Sequence, residues 1–559
     1  MSYAKSSKNV ILTNECFEEI FKYLINDKDT LYSCLFVNRI FCKWVVKILW
    51  SQPFTLLKEI PSNKLIQILI DCLRDEEKTD LLKRCTLNFD IFSKKYRQQP
   101  LFNYLTFIRE LNYWCFFEST NLWLRNILMK QRNNYVNSNL TNVITIYLIK
   151  VIMIQGKHIR SLRWFNNDIY RDLPPIRRFP KDALSMVKYL SCGGFHIDDS
   201  AFNQLSRTCN NIIELEISHY RKSHDSNLAA LIRSQNGLKH ITFNYITGGT
   251  WRLAAALHSQ ASTLRSLKFV NIDFVEVNSK GLVVCNNLES LEFFDCHGIN
   301  IEKFWKPIID HSNFHLKKLS LARTIILSEV IEKFIITSNS NFEEFMVDRT
   351  VTIEMPYLME MLANNCPNIS FLKIFLNNLD EISLLLSCIA NFTKLKTLVI
   401  RTSACIDVSE ILPIFSNLIP SSLQLLDFDM NTSAESLQLF LENCKALIQR
   451  IIMNYGYVLE EHIKVLINYV LEKGSLKSIG YTYRTNWTNS DFSEFGLGAK
   501  ENLQLLEESA KELVDFIDPV DPNDCLFQCF GDSEGWGSSA GLQNTWEDLE
   551  NLPTWENSL

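Results

Sequence analysis

An apolar triplet that returns about every 26 residues constrains this chain more than any other feature of its sequence. In each copy an apolar residue is followed by a second three positions later and by a third two positions after that. Ten intervals cover the 264 residues between the first and the last copy, a mean of 26.4. Such spacing predicts a stack of similar strand-and-helix units, because one unit cannot bury its apolar side alone. The copies begin at Ile212, Leu238, Leu264, Leu288, Leu316, Phe342, Ile369, Leu395, Leu423, Leu447 and Leu476.

Three copies of the triplet depart from the common form. The copy at Leu447 is irregular, because Arg450 occupies its second apolar place. Two weaker copies precede the series, at Ile159 and Val187. The stretches between copies, such as 225–236, carry apolar residues at helical spacing. The sequence therefore predicts an α/β repeat in which a short strand alternates with a helix.

The triplet and its spacing resemble the leucine-rich repeat, and regularly placed cysteines support that register. Cys209, Cys285, Cys366 and Cys444 each stand three residues before the start of a copy. This placement resembles the cysteine-containing subtype of F-box/leucine-rich-repeat proteins, and it implies a right-handed solenoid with a parallel concave sheet. The alternative is that the four thiols bind metal or act in redox chemistry. One cysteine per repeat would separate them, which favours burial as small apolar residues.

The amino-terminal stretch 11–54 resembles an F-box. That motif opens with Leu-Pro-x-Glu, continues through an apolar helix ending near Tyr-Leu, and closes with a Val-Asn-Arg element and a Leu-Trp pair. The departure is Thr13, which stands where the motif has proline. The matching residues are Leu12, Glu15, Ile20, Tyr23, Leu24, Val37, Asn38, Arg39, Phe41, Cys42, Leu49 and Trp50.

The resemblance implies that this stretch binds a Skp-type adaptor, which in turn connects to a cullin. The other interpretation is a generic three-helix cap whose apolar residues only form its own core. The adaptor-binding residues carried over from the motif are Leu12, Glu15, Ile20, Leu24, Val37, Leu49 and Trp50.

Five segments follow from these patterns. We expect the F-box-like helices in 1–55, a helical linker in 56–155 and the solenoid in 156–485. A carboxy-terminal cap helix is expected in 486–517, followed by an acidic, tryptophan-containing tail in 518–559 that is predicted to be disordered. Over most of its length the chain resembles the expanded fungal families of F-box/leucine-rich-repeat proteins.

Charge and hydropathy exclude several classes of protein. The net charge of the 559 residues is −6. Residues 516–559 carry nine acidic and no basic side chains, so the rest of the chain carries +3. We therefore expect no nucleic-acid partner. No signal peptide is evident, and the apolar stretch 143–154 is too short to cross a bilayer. A cytoplasmic or nuclear protein without a membrane partner is the expectation, and reduced thiols agree with it.

No constellation for catalysis, cofactor binding or metal binding stands out. The sequence has no phosphate-binding glycine loop and no nucleophile elbow. His311 and His315 have metal-ligand spacing but no adjoining Glu, and Cys525 and Cys529 have no nearby His. The basic stretch 174–182 is most simply a solvated loop, although it could touch an acidic partner or nucleic acid.

The function implied by the resemblance is substrate recognition in a Skp–cullin–F-box ubiquitin ligase, leading to proteasomal degradation of a target protein. The chain would be a non-catalytic receptor, monomeric within a hetero-complex. The alternative is a leucine-rich-repeat interaction scaffold or inhibitor without a ligase connection. Outward-pointing strand positions would bind the target, with exposed aromatic rings beside a cation as the hot spot. The residues predicted for this role are Phe294, Lys268, Lys373, Phe375, Arg401, Asp427 and Asp429.

Overall fold

The structure is a computed structural model, and it describes most of the chain between residues 14 and 517. The described residues are 14–25, 27–56, 60–85, 100–130, 138–156, 158–165, 176, 179–193, 199–219, 226–246, 250–275, 277–299, 301–348, 355–402, 406–454, 458, 460–481, 505–511 and 513–517. Outside them lie Leu12, Thr13, four of the nine residues in 174–182 (174, 175, 177 and 178), and the tail 518–559 with Cys525 and Cys529.

Among the described residues, fifteen parallel strands form one sheet, and their order in the sheet is their order in the chain. The first eight strands are β1 Glu110–Asn112, β2 Ser161–Trp164, β3 Tyr189–Gly193, β4 Glu214–Ser218, β5 His240–Asn244, β6 Ser266–Val270, β7 Ser290–Phe294 and β8 Lys318–Ala322. The others are β9 Glu344–Asp348, β10 Phe371–Leu376, β11 Thr397–Thr402, β12 Leu425–Phe428, β13 Arg450–Met453, β14 Ser478–Tyr481 and β15 Asp515–Ile517.

Helices precede the sheet and connect its strands. The first eight are α1 Asn14–Lys22, α2 Lys28–Cys34, α3 Arg39–Leu49, α4 Pro53–Leu56, α5 Asn63–Asp71, α6 Asp75–Cys85, α7 Tyr113–Lys130 and α8 Ser138–Gly156. Those between the later strands are α9 Lys181–Leu184, α10 Asp199–Thr208, α11 Ser226–Arg233, α12 Thr250–Leu257, α13 Lys280–Val283, α14 Lys306–His311, α15 Ser328–Ser338, α16 Met355–Asn365, α17 Leu379–Ile389, α18 Leu412–Leu418, α19 Ala434–Asn443 and α20 Glu460–Lys473. Shorter 3-10 turns occur at Tyr104–Thr106, His258–Gln260 and Asn339–Asn341, and a π-helical turn at Ile301–Trp305.

The topology confirms the predicted α/β leucine-rich-repeat solenoid. The apolar triplets point into one continuous core; Leu215, Leu267 and Leu319, for example, are fully buried. Adjacent strands lie about 4.8 Å apart, whereas packed helices need about 10 Å. The stack therefore curves with the strands on its inner, concave face and the helices on its outer, convex face.

A single hydrogen-bond ladder runs along the edge where the strands begin. The carbonyl of the residue before each strand from β1 to β13 accepts two amides from the next repeat, as Lys188 O does from the N–H groups of Ile213 and Glu214. The ladder starts at Ser51 O, which accepts from Arg109 and Glu110, directly after the amino-terminal helices. Those helices are thus joined to the first rung of the solenoid by backbone hydrogen bonds.

The repeat near residue 450 has a register one residue later than predicted. Ile448, Ile451 and Met453 are its buried triplet, whereas Leu447 is 65% exposed and Arg450 is also exposed. The apparent irregularity of this copy came from starting it at Leu447. The weaker copies at Ile159 and Val187 are confirmed as the triplets of β2 and β3.

The sheet extends beyond the segment predicted for the solenoid at both ends. The strand β1 lies within the predicted helical linker, where Ile108 and Leu111 are fully buried. The strands β1 and β2 are far apart in the sequence because the long helices α7 and α8 lie between them. This long separation hides the repeat from a search for a constant interval. At the other end, residues 505–510 of the predicted cap segment are helical, and β15 follows as a further strand.

The helix α8 is longer than its apolar stretch suggested. It has 19 residues and, among the described helices, is the one long and apolar enough to cross a membrane, with 56% of its apolar window buried. It packs against α6 and α7, and Leu148, Ile149 and Ile152 are fully buried in the solenoid core. Its apolar length is therefore used for packing within the protein.

Candidate interaction surfaces

The amino-terminal helices α1, α2 and α3 have a small core of their own. Phe21, Leu31 and Val45 are buried together, apart from the main core of the solenoid. The side chain of Asn38 caps α3 by accepting hydrogen bonds at 2.9 Å from the N–H groups of Ile40 and Phe41. The Val-Asn-Arg element of the motif thus has a structural role, because an asparagine at this position satisfies free helix amides.

The predicted adaptor-binding residues divide into surface and packing positions. Ile20 is 47% and Val37 59% exposed. Leu24 and Leu49 are partly buried against the core of the three helices. Trp50 stacks on Tyr104 with ring centroids 4.1 Å apart, which ties the motif to the solenoid. Leu12 lies outside the described residues, as does the side chain of Glu15.

Further apolar side chains are exposed on the same three-helix motif. Tyr23 is 82%, Phe36 48% and Ile40 53% exposed. None of these was chosen as a binding residue from the sequence, although Tyr23 belongs to the motif. Helical periodicity assigned all these apolar positions to a core. Only the packing of the helices shows which of them remain exposed to solvent. Clustered exposed apolar residues are typical of a protein-binding surface.

The concave face of β6 to β9 carries a buried apolar cluster. Val270, Phe294, Ala322 and Met346 are between 2% and 7% exposed, and Phe371 packs beside them. The ammonium group of Lys268 lies 4.7 Å from the centroid of the Phe294 ring. Burial lowers the pKa of Lys268, and the carboxylate of Glu292 opposes that shift. Phe294 is therefore covered by its neighbours and is not the exposed ring that the sequence predicted.

The concave face of β10 to β13 instead carries paired charges. Arg401 donates two hydrogen bonds of 2.8 Å to the two carboxylate oxygens of Asp427. Asn454 donates a third, of 2.7 Å, to Asp427 Oδ1. Lys373 is 2% exposed and lies 3.3 Å from the carboxylate of Asp348. These charges balance one another, as buried ionic groups must.

Asp429 lies beside this pair and is held by backbone and side-chain donors. It accepts hydrogen bonds from the N–H group of Thr402 at 3.0 Å and from its hydroxyl at 2.9 Å. Burial raises the pKa of Asp429 above its usual value, in spite of the hydrogen bonds from Thr402, which lower it. The charge of neighbouring Asp427 acts in the same direction as burial.

The structure places the predicted target-binding residues on one face but leaves few of them accessible. Asp427 and Asp429 are 2% and 4% exposed, and the side chain of Arg401 is 13% exposed. Phe375 and Lys268 are partly buried. Alternation along the strands predicted which way these side chains point. It did not predict how far side chains on adjacent strands shield them from solvent. Their role in target binding stays a prediction.

A row of left-handed residues follows five consecutive strands. In each, the φ angle lies between 47° and 53°, and the N–H group donates to a carbonyl of the next repeat. The residues are His219, Tyr245, Asn271, Asp295 and Arg323. Asp295 and Arg323 form an ion pair, and the rings of His219 and Tyr245 stack at 4.9 Å. The sequence gave no signal of this row, because Tyr and Arg do not favour this conformation.

The repeated cysteines are used for packing. Cys209, Cys285 and Cys366 are fully buried. Burial raises the pKa of the Cys209 thiol to about 11 and those of Cys285 and Cys366 to about 12. Cys444 is only partly buried, since it stands four rather than three residues before the buried Ile448. Within the described residues, no group of three or more His, Cys, Asp or Glu side chains is arranged for metal binding.

No protein-family model matches the chain, and no curated protein matches it. Among solved structures, it is similar to the crystal structure of a TLR13–ssRNA13 complex, with 14% identity, a TM-score of 0.33 and coverage of 58% of this chain and 44% of that one. It is also similar to the crystal structure of the Rad7 and Elc1 complex in yeast, with 11% identity, a TM-score of 0.34 and coverage of 69% and 94%. The chain thus spans less than half of the first structure's length. Its own sheet topology defines it as a leucine-rich-repeat solenoid, a fold used for protein interaction.

Proposed function

We propose that the chain is the substrate-recognition subunit of a Skp–cullin–F-box ubiquitin ligase. The observation that carries the proposal is the three-helix motif, which resembles an F-box and leaves apolar residues exposed beside its own small core. A generic cap would turn those residues inward. Here Ile20, Tyr23, Phe36, Val37 and Ile40 remain on the surface, where an adaptor could cover them.

The attachment of the motif to the solenoid supports this role. Ser51 O accepts the first two amides of the ladder, and Trp50 stacks on Tyr104. A target held by the solenoid would therefore have a fixed orientation relative to the adaptor. Such a receptor contributes proximity and orientation, and the bond chemistry belongs to other subunits.

The concave face is the proposed surface for the target. The fifteen described strands at about 4.8 Å would cover about 70 Å, enough for an interface of about 800 Å² per partner. Within the predicted set, Phe375, Lys268 and Arg401 are the members with accessible surface. Proximity labelling of partners with the proteasome blocked tests this role. A Phe375→Ala chain should lose a partner that accumulates with the wild type, and an unchanged partner set would exclude Phe375 from the interface.

The adaptor is tested by pull-down with the full chain. Ile20→Asp and Val37→Asp place charges in the proposed interface, and each should weaken adaptor binding more than about tenfold, since burying an apolar side chain contributes about 1.5–3 kcal/mol. Ile336→Asp and Ile414→Asp are matched controls, because these isoleucines are 54% and 59% exposed on solenoid helices. They should leave binding unchanged.

Two results would reject the ligase role. One is a folded wild-type chain that recovers no Skp-type adaptor. The other is an adaptor whose binding is insensitive to both interface variants. Either result would favour the alternative, an interaction scaffold without a ligase connection.

A further inference from the structure

A row of basic side chains lines the edge where the strands begin. Fourteen residues, each directly before a strand of the sheet from β1 to β14, supply the carbonyls of the ladder after Ser51. Eight of them are Lys or Arg and two are Glu. The basic residues are Arg109, Arg160, Lys188, Lys239, Arg265, Lys317, Lys396 and Lys477.

Between β2 and β5, the positive charges of this row have the fewest acidic partners. Arg160, Lys188 and Lys239 are exposed, and none of them forms an ion pair among the residues that the structure describes. Farther along, Glu289 pairs with Arg265 at 3.3 Å and with Lys317 at 2.9 Å. We call Arg160, Lys188 and Lys239 the cationic rim. Glu214, at the first position of β4, is an exposed acid on the same edge.

The ladder fixes the spacing of the rim. Lys188 donates its N–H to Arg160 O, so these two residues are one strand apart, about 4.8 Å. Lys188 and Lys239 are two strands apart, about 10 Å. That distance equals about three residues of an extended peptide. A peptide with carboxylates two to three residues apart would match the rim.

This chain contains such a peptide. Four acidic residues fall within ten consecutive positions of the sequence: Glu547, Asp548, Glu550 and Glu556. No basic residue follows Lys511. The last described strand ends at Ile517, ten to thirteen strands from the rim, or about 50–60 Å. Thirty residues separate Ile517 from Glu547 and can extend about 100 Å. The distal acidic segment 547–556 can therefore reach the rim.

We propose that the acidic segment 547–556 docks on the cationic rim of the same chain. This inference goes beyond the proposed ligase role and does not depend on it. A peptide suits the rim better than single-stranded nucleic acid, because nucleic-acid surfaces combine cations with exposed aromatic rings for base stacking. At the first positions of β2 to β5, all of which the structure describes, Tyr189 is the one exposed Phe, Tyr or Trp residue.

Lysine acylation of the full chain, read out by mass spectrometry, tests the docking. Lys188 and Lys239 should react about threefold more slowly in the wild type than in a variant with Glu547→Gln, Asp548→Asn, Glu550→Gln and Glu556→Gln, since several weak ion pairs would be lost. Raising the salt to about 1 M should remove the difference, because the Debye length falls to about 3 Å. Lys280 and Lys473, exposed on convex helices, are internal controls and should not change.

A second variant separates docking from a general effect of net charge. Asp518, Asp521 and Asp524 lie within seven residues of Ile517, a reach of about 23 Å, so they cannot contact the rim. Changing all three to Asn should leave the acylation of Lys188 and Lys239 as slow as it is in the wild type. Equal effects of the two variants would overturn the proposal, as would equal reactivity of the wild type and the distal variant.

Two further outcomes would overturn it. Protection of the lysines that grows with protein concentration would place the segment on a second copy of the chain. Protection by an added oligouridine, with no effect of the distal variant, would assign the rim to nucleic acid. Both are measured with the same acylation assay.

Discussion

The two halves of the concave face use the same strand positions for opposite chemistry. Val270, Phe294 and Ala322 are aligned in the register of β6 to β8 and form an apolar row. The corresponding outward position of β11 holds Arg401. Its guanidinium group forms a hydrogen-bonded ion pair with Asp427 on the neighbouring strand β12. Both halves are largely buried. An apolar row is stabilised by the area it removes from water, whereas a buried ion pair is stabilised only while both partners are present.

Removing the largest ring of the apolar half should have the largest effect. Phe294→Ala should lower the free energy of unfolding by about 4 kcal/mol, because the surrounding residues cannot fully close the cavity. Urea denaturation of the full chain measures this loss. Val275→Ala, a change at a valine 58% exposed just after β6, should stay within about 0.5 kcal/mol. A loss at Phe294 as small as that of the control would mean that the cluster does not contribute to stability.

Breaking the ion pair of the other half should cost somewhat less. Asp427→Asn removes the carboxylate that accepts two hydrogen bonds from Arg401 and should destabilise the chain by about 3 kcal/mol. The same urea measurement applies. Glu302→Gln breaks an exposed ion pair with Lys306 and should change stability by less than about 1 kcal/mol. If both substitutions cost the same, the charges of this half are solvated, and the contrast between the halves disappears.

The smallest effect is the pH dependence of stability that Asp429 contributes in the polar half. Burial raises the pKa of Asp429, so the folded state binds its proton more tightly than the unfolded state. The stability of the wild type relative to Asp429→Asn should therefore fall as pH rises from the usual Asp pKa through the raised value.

Asp407 provides a control of opposite sign. A hydrogen bond from the side chain of Ser409 lowers the pKa of Asp407 below its usual value. Its contribution is present above the unfolded pKa and is lost as pH falls through the folded pKa. Urea midpoints between about pH 3 and pH 7 for the wild type, Asp429→Asn and Asp407→Asn measure both slopes. Equal signs for the two variants would contradict the assignment for Asp429.

The sequence was informative where a pattern repeats. Leu215 and Leu267 hold equivalent places in the triplet, and the constant interval between copies predicted the solenoid and the buried cysteines. It was misleading where one copy could start at either of two adjacent apolar residues. Leu447 and Ile448 are indistinguishable by type, and only the packing of Ile448 decides the register.

Site residues were less predictable than the fold. Alternation along a strand correctly placed Phe294 and Phe375 on the concave face, but it cannot say how much of a ring the next strand covers. In the same way, helical spacing could not separate the exposed Ile20 from the packed Leu24.

The sequence by itself determined the α/β solenoid, its interval of about 26 residues and the direction of most strand side chains, because those features depend on local periodicity repeated many times. Tertiary structure alone decided which outward residues stay accessible, which charges pair across strands, and where the sheet begins and ends. It also imposed the left-handed turns at His219, Tyr245 and Arg323, whose N–H groups bond to the next repeat. These features depend on contacts between residues about 26 positions apart, which a pattern within one repeat does not contain.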